Sequence, residues 1–176
     1  YTRYSKDFSV KELPHANAIY RHTVFEKKWP ELPQDGKIMV RIGSHVDFSE
    51  ELTQAVDAFC ATYDAIVCCD HTSGYRGKYE VHSQILCAQN RWHSSLTKAN
   101  LSIHIGEVSG DGFACSSSHV WRVSPDGALR DSFGNLRRVF MMPEIEFFKH
   151  YAKEGTSHPE YLDSLNPDVE SAQAHI

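Results

Sequence analysis

Eleven of the 176 residues are histidines, and several stand where loops are expected to meet strands. His45 and Asp47 are two apart in sequence. On an extended backbone both side chains leave the same side, which is the geometry of a His-x-Asp pair on a divalent metal. A third ligand has to come from elsewhere, and His119, just ahead of Val120-Trp121-Arg122-Val123, is the candidate. A second group of chemistry-bearing residues lies in Asp70-His71-Thr72-Ser73-Gly74-Tyr75-Arg76-Gly77. The hydroxyls of Thr72 and Ser73, with neighbouring backbone amides, suit a phosphate, and Arg76 could pair with one. The Gly- and Ser-rich stretch 106–118 adds Glu107 and Asp111 as further ligand contacts. Imidazole titrates near neutral pH, so His71, His104 and His119 are the acid–base candidates.

Other arrangements carry less. The sequence holds neither a phosphate loop ending in Gly-Lys-Ser/Thr nor a Gly-x-Ser-x-Gly elbow. Cys115-Ser116-Ser117-Ser118-His119 sets thiol, hydroxyls and imidazole in a row, but nucleophile and base pair by position in space, so adjacency is weak evidence. Glu144 and Glu146 follow Pro143 at an expected helix start, where carboxylates offset the helix dipole. His82 and His93 share a face of an expected helix, too far apart along its axis to hold one ion.

Two resemblances are carried by these residues. His45, Asp47 and His119, with Arg130 in Arg-Asp-Ser, resemble the ligands and cosubstrate-binding arginine of Fe(II)/2-oxoglutarate oxygenases, which implies an iron site with Arg130 as the anchor. The stretch Asn100-Leu-Ser-Ile-His-Ile-Gly-Glu-Val-Ser-Gly-Asp-Gly-Phe113 is similar to the strand-and-turn segment of class III nucleotide cyclase catalytic domains. Leu86-Cys87-Ala88-Gln89 and the helix leading to Asp64-Ala65-Ile66-Val67 extend that likeness over residues 37–123. Ser44 stands near the place of a metal-binding aspartate in those enzymes, so the resemblance implies a degenerate, nucleotide-binding or regulatory relative.

The elements that position these residues follow from periodicity. Ile38, Val40 and Ile42 alternate as a strand over 37–42. Leu52, Val56, Phe59 and Tyr63 line one face of a helix over 50–63, and the unbroken apolar run 65–69 reads as a strand buried on both faces. A second helix is expected over 79–95, then strands over 99–108 and 120–123 and a turn at Pro125-Asp126-Gly127. Residues 136–142 read as a strand or the end of a hairpin, and Pro143 opens a helix over 144–151. Residues 10–25 are read as a short helix. The expected fold is a single compact α/β (α+β) domain with a central mixed β-sheet covered by helices. Its parts are an N-terminal arm (1–36) packing on the core, the core (37–155) and a polar C-terminal tail (156–176).

Composition bounds the function. A net charge of −5 at pH 7 supplies none of the basic surplus that nucleic-acid binding needs. No apolar run approaches the roughly 20 residues of a membrane span. Five cysteines without a Cys-x-x-Cys pair read as free thiols, which suits a soluble protein in the cytoplasm. The leading expectation is binding of, with scope for catalysis on, a phosphorylated small molecule such as a nucleotide, at loops 70–77 and 106–119. The alternatives are an enzyme with a divalent metal on His45, Asp47 and His119, and a non-catalytic interaction module presenting Trp29 and Trp121. The sequence sets no oligomeric state.

Overall fold

The structure, a computed structural model, describes residues 17–33, 36–45, 47–69, 71–81, 98–108 and 116–153. Among them are seven strands, β1 (Tyr20–Thr23), β2 (Ile38–Ile42), β3 (Ile66–Cys69), β4 (Glu80–Val81), β5 (Lys98–Ile105), β6 (Ser116–Val123) and β7 (Leu136–Met141). Two helices accompany them, α1 (Glu50–Tyr63) and α2 (Glu144–Ala152).

α1 forms where its apolar spacing requires, burying Leu52, Ala55, Val56, Phe59 and Cys60 along one face. Its ends are set by local chemistry. The Ser49 hydroxyl accepts a hydrogen bond from the Leu52 amide at 3.1 Å, and Asp64 closes the helix in the left-handed region at φ 50°. β3 is buried along its whole length, as expected of a strand with neighbours on both faces.

The sheet order is β1-β7-β6-β5-β2-β3-β4, and every described strand pair is parallel. Antiparallel pairing among the described residues is confined to one bridge between Ser44 and Glu107. The chain therefore builds outward from β2 through β3 to β4, then returns to the other side of β2 for β5, β6 and β7. Strand order reverses between β2 and β5, which is where open α/β sheets leave a crevice at the carboxyl ends of their strands.

One face of this sheet carries Val40, Ile42, Val67, Ile103, Ile105, Val123 and Phe140, which pack with Phe59 of α1 and with Phe147 and Phe148 of α2. Each of these fully buried phenylalanines contributes about 1.5–3 kcal/mol of transfer free energy. Alternation sends Met39, Ser102, His104, Val120 and Arg122 to the opposite face, where Val120, Leu136 and Val139 form a smaller cluster.

Several local expectations change. Residues 20–23 are a strand rather than part of a helix, because β7 offers them a parallel edge whose pairing outweighs local preference; residues 10–16 of that expected helix lie outside the described residues. Glu80 and Val81, expected to open the second helix, pair with β3 instead, and the rest of 82–95 also lies outside. β6 begins at Ser116, ahead of the expected 120, since Ser116 and Ser117 pair with Lys98 and Ala99. β7 is not a hairpin arm: the connection 124–135 is long enough to carry the chain back for parallel pairing. Leu32 is buried, Trp29 lies 4.0 Å from the His150 ring between centroids, and the Tyr151 hydroxyl donates to the Pro30 carbonyl at 2.6 Å. Cys60, Cys68 and Cys69 are buried thiols, and no described helix is long and apolar enough to cross a membrane. The expected tail at 156–176 lies outside the described residues.

Candidate functional site

Because the strands run one way, the segments that follow β2, β3, β5, β6 and β7 all emerge at one edge. At the reversal point the turns after β2 and β5 are stitched together. The Gly43 amide donates to the Ile105 carbonyl at 3.0 Å, Ser44 to Glu107 at 3.1 Å, and Glu107 back to Ser44 at 3.2 Å. Only glycine fits at Gly43, where a Cβ would run into the backbone of Glu107 and Val108.

His45 straps this junction to α2. Its Nδ1 lies 2.9 Å from the Gly43 carbonyl and its Nε2 lies 2.9 Å from Glu144 Oε2. Both neighbours are acceptors, so the protonated ring, with both nitrogens donating, is the form that satisfies both contacts. Burial alone would lower its pKa; the hydrogen bond and charge of Glu144, helped by the Gly43 carbonyl, outweigh burial and leave it raised. The other Glu144 oxygen accepts the Gly106 amide at 3.0 Å. The reversal point thus already holds a carboxylate of its own.

A row of polar side chains lies just behind it on the opposite face. Register sets Cys68, Arg41, His104 and Arg122 side by side on β3, β2, β5 and β6. Burial, with the charges of Arg41 and Arg122, pulls the His104 pKa down to about 3, so its ring is neutral near pH 7. Arg122 is only 3% exposed. Its Nη1 donates to the Gly106 carbonyl at 3.1 Å, and its Nη2 stands 3.6 Å from Glu107. Its Nε, like the hydroxyl of Ser102 on the same face, is buried without a hydrogen-bond partner among the described residues. Glu107 is shared with Arg130, which also lies 3.7 Å from Asp126. A buried guanidinium whose ion-pair partner Glu107 is 3.6 Å away and shared, with Asp126 acting on it only through charge, is incompletely compensated, and that is costly in a low-dielectric setting.

The loop after β3 reaches the same edge. Thr72 and Ser44 hydroxyls are 2.8 Å apart, and the Thr72 carbonyl accepts the His45 amide at 3.3 Å. Ser73 is buried, its hydroxyl accepting the Tyr75 amide at 3.4 Å. Arg76 is exposed, donating to the Tyr75 carbonyl at 2.6 Å and standing 3.9 Å from Glu80. His71 is exposed.

The structure therefore brings Ser44, His45, Thr72 and Glu107 together at the carboxyl edge, with His104 and Arg122 adjacent. It does not bring His119 to them. His119 pairs with Leu101, which pairs with Ile38 at the start of β2. That level is roughly 13 Å below the end of β2, counting four residues of strand, and His45 lies beyond that end. Asp47 is exposed, and no group of three His, Cys, Asp or Glu among the described residues could hold a metal ion. Asp111 lies outside the described residues. The N-terminus of α1, the usual phosphate seat of doubly wound sheets, is already taken by the Ser49 cap and carries Glu50 and Glu51 in its first turn.

Arg122 and Glu144 are the site residues that spacing alone did not single out. For Arg122 a signal existed, a charge inside the otherwise apolar Val120-Trp121-Arg122-Val123. No family model matches the chain, and no curated protein matches it either, so the resemblances described above rest on their residues alone.

Proposed function

We propose that the protein binds a phosphorylated small molecule, of the size of a nucleotide or sugar phosphate, at the carboxyl edge of its sheet. The observation that supports this most is Arg122, an almost wholly buried guanidinium whose Nε has no hydrogen-bond partner among the described residues, beside the point where strand order reverses. A phosphate oxygen there supplies the missing acceptor and the missing negative charge together. Arg130 at the rim and the Ser44 and Thr72 hydroxyls are the remaining polar contacts at that edge. The reading is binding rather than acid–base chemistry, since a His104 ring with a pKa near 3 stays neutral near pH 7 and is a weak base, and His45 has both ring nitrogens engaged.

Calorimetric titration with AMP and ribose 5-phosphate, against adenosine and ribose, tests this. Only the phosphorylated compounds are expected to bind. Arg122→Gln should weaken them by about 1.5–3 kcal/mol, the value of a hydrogen bond to a charged group, and Arg130→Ala should do so more mildly. Equal binding of AMP and adenosine, or AMP binding indifferent to both substitutions, would remove the proposal.

A further inference from the structure

The opposite edge of the sheet holds a cavity of about 400 Å³, lined by Tyr20, Leu32, Leu101, His119, Trp121 and Arg138, with Glu31, Pro33 and Arg137 completing the lining. Its existence follows from element lengths. α2 has nine residues and is about 13 Å long, whereas the eight-residue strands β5 and β6 run about 26 Å. The helix therefore covers only part of the strands it packs on. Near its end the arm crosses over, Trp29 against Tyr151 and Pro30 on the Tyr151 hydroxyl, and continues into Glu31, Leu32 and Pro33, which wall the cavity.

Register decides what faces into it. Tyr20 pairs with Arg138 and Arg138 with Trp121, so the three stand side by side on β1, β7 and β6. The Arg138 guanidinium carbon lies 5.4 Å from the Tyr20 ring centroid and 5.5 Å from that of Trp121. One Nη donates to His22 Nε2 at 2.9 Å, and this fixes His22 as the tautomer whose Nδ1 donates to Glu26 at 2.8 Å. The guanidinium is thus flanked by rings and anchored at one corner. Its remaining donors lie in its own plane, the direction from which a carboxylate binds with two parallel hydrogen bonds. No carboxylate of the described residues forms an ion pair with Arg138 or Arg137. Two arginines against Glu31 leave one net positive charge among the arginines and carboxylates of the lining. The floor is apolar, through Leu32, Leu101 and Pro33.

We propose that this cavity is a second binding site, for a small monocarboxylate with a flat apolar body. Arg138 takes the carboxylate, Tyr20 and Trp121 flank it, and the apolar floor takes the body. The volume lies within the usual range for small-molecule sites, at its lower end. The site stands apart from the carboxyl edge and does not depend on the phosphate reading.

The test is an NMR titration of the whole chain with benzoate, benzamide and phenyl phosphate, followed at the Trp121 indole and Arg138 side-chain cross-peaks. Benzoate is expected to shift both and saturate, and uncharged benzamide to bind roughly tenfold more weakly or worse. Arg138→Gln should lower benzoate affinity by a similar factor, while Arg122→Gln leaves it unchanged. Should Arg138→Gln fail to fold, Tyr20→Ala, which alters an exposed residue, should weaken benzoate binding too. Benzamide binding as well as benzoate, phenyl phosphate binding better than benzoate, or the absence of any shift at these two cross-peaks would each overturn the proposal.

Discussion

Tyr75 shows how much one hydroxyl can organise. Its ring is fully buried and meets Phe48 edge-on at 5.8 Å between centroids. From there the hydroxyl donates to Asp57 of α1 at 2.5 Å and accepts the Tyr79 amide at 3.4 Å, while Asp57 also accepts the Lys78 amide. Burial, reinforced by the Asp57 hydrogen bond, raises the phenol pKa far above its ordinary value, so it remains a donor. Tyr75→Phe keeps the ring and removes the link between loop 71–77 and α1. Its expected cost is about 1–3 kcal/mol, because Asp57 and the Tyr79 amide both lose a partner. Urea unfolding reads this, and a loss below about 0.5 kcal/mol would mean the hydroxyl contributes nothing. At this scale the sequence drew attention to histidines, and the structure gives them unlike settings. His45 is a strap, His104 a buried neutral ring, His71 an exposed loop residue, and His119 part of a cavity at the other edge. Spacing of two places His45 and Asp47 near each other in the chain, but which distant residue joins them is decided by strand register, and register is not visible in a local pattern. The same holds for Arg138, whose ring neighbours come from two other strands.

Among the elements, those with a full period of alternation were legible: α1 through its helical spacing, β2 and β5 through theirs, β3 through its unbroken apolar run. β1 and β4, with four and two residues, are too short to show a period, and their existence depends on a neighbouring edge to pair with. The carboxyl-edge loops were legible as polar loops after strands, but the stitch between two of them was not, since Gly43 and Glu107 are far apart in sequence. That stitch has a direct test. At Gly43 an added Cβ meets fixed backbone on the partner turn, so the turns after β2 and β5 have to separate to admit it. Gly43→Ala is expected to cost about 1–3 kcal/mol, the usual penalty of overpacking. The expected signature is faster amide exchange at Ser44 and Glu107, the two residues of the bridge, with Leu101 and Ile103 in the body of β5 unaffected relative to global stability. Unchanged exchange at Ser44 would mean that the bridge is not closed in solution.

For the molecule as a whole, the two histidines at the carboxyl edge impose opposite pH dependences. The His45 pKa is raised by Glu144, so its contribution is complete below the ordinary value near 6.5 and is lost as pH climbs through the raised one. The His104 pKa is depressed to about 3, so its unfolded form takes up a proton that the folded form refuses. Its contribution is complete above 6.5 and is lost as pH falls toward 3. Between these limits the loss is about 1.4 kcal/mol per pH unit, which predicts a fall on the order of 2 kcal/mol by about pH 5. Glu107, Asp126 and Glu144 are carboxylates near this edge, and Arg41 and Arg122 flank His104, so a single pH curve mixes several groups. The difference between wild type and His104→Leu isolates the one in question. Urea unfolding of both proteins from pH 7 to pH 5 should show the wild type losing stability that the variant keeps, with the two curves converging or crossing toward acid. Parallel curves would mean that the ring accepts its proton in the folded state, which requires an anion or water close enough to compensate Arg41 and Arg122.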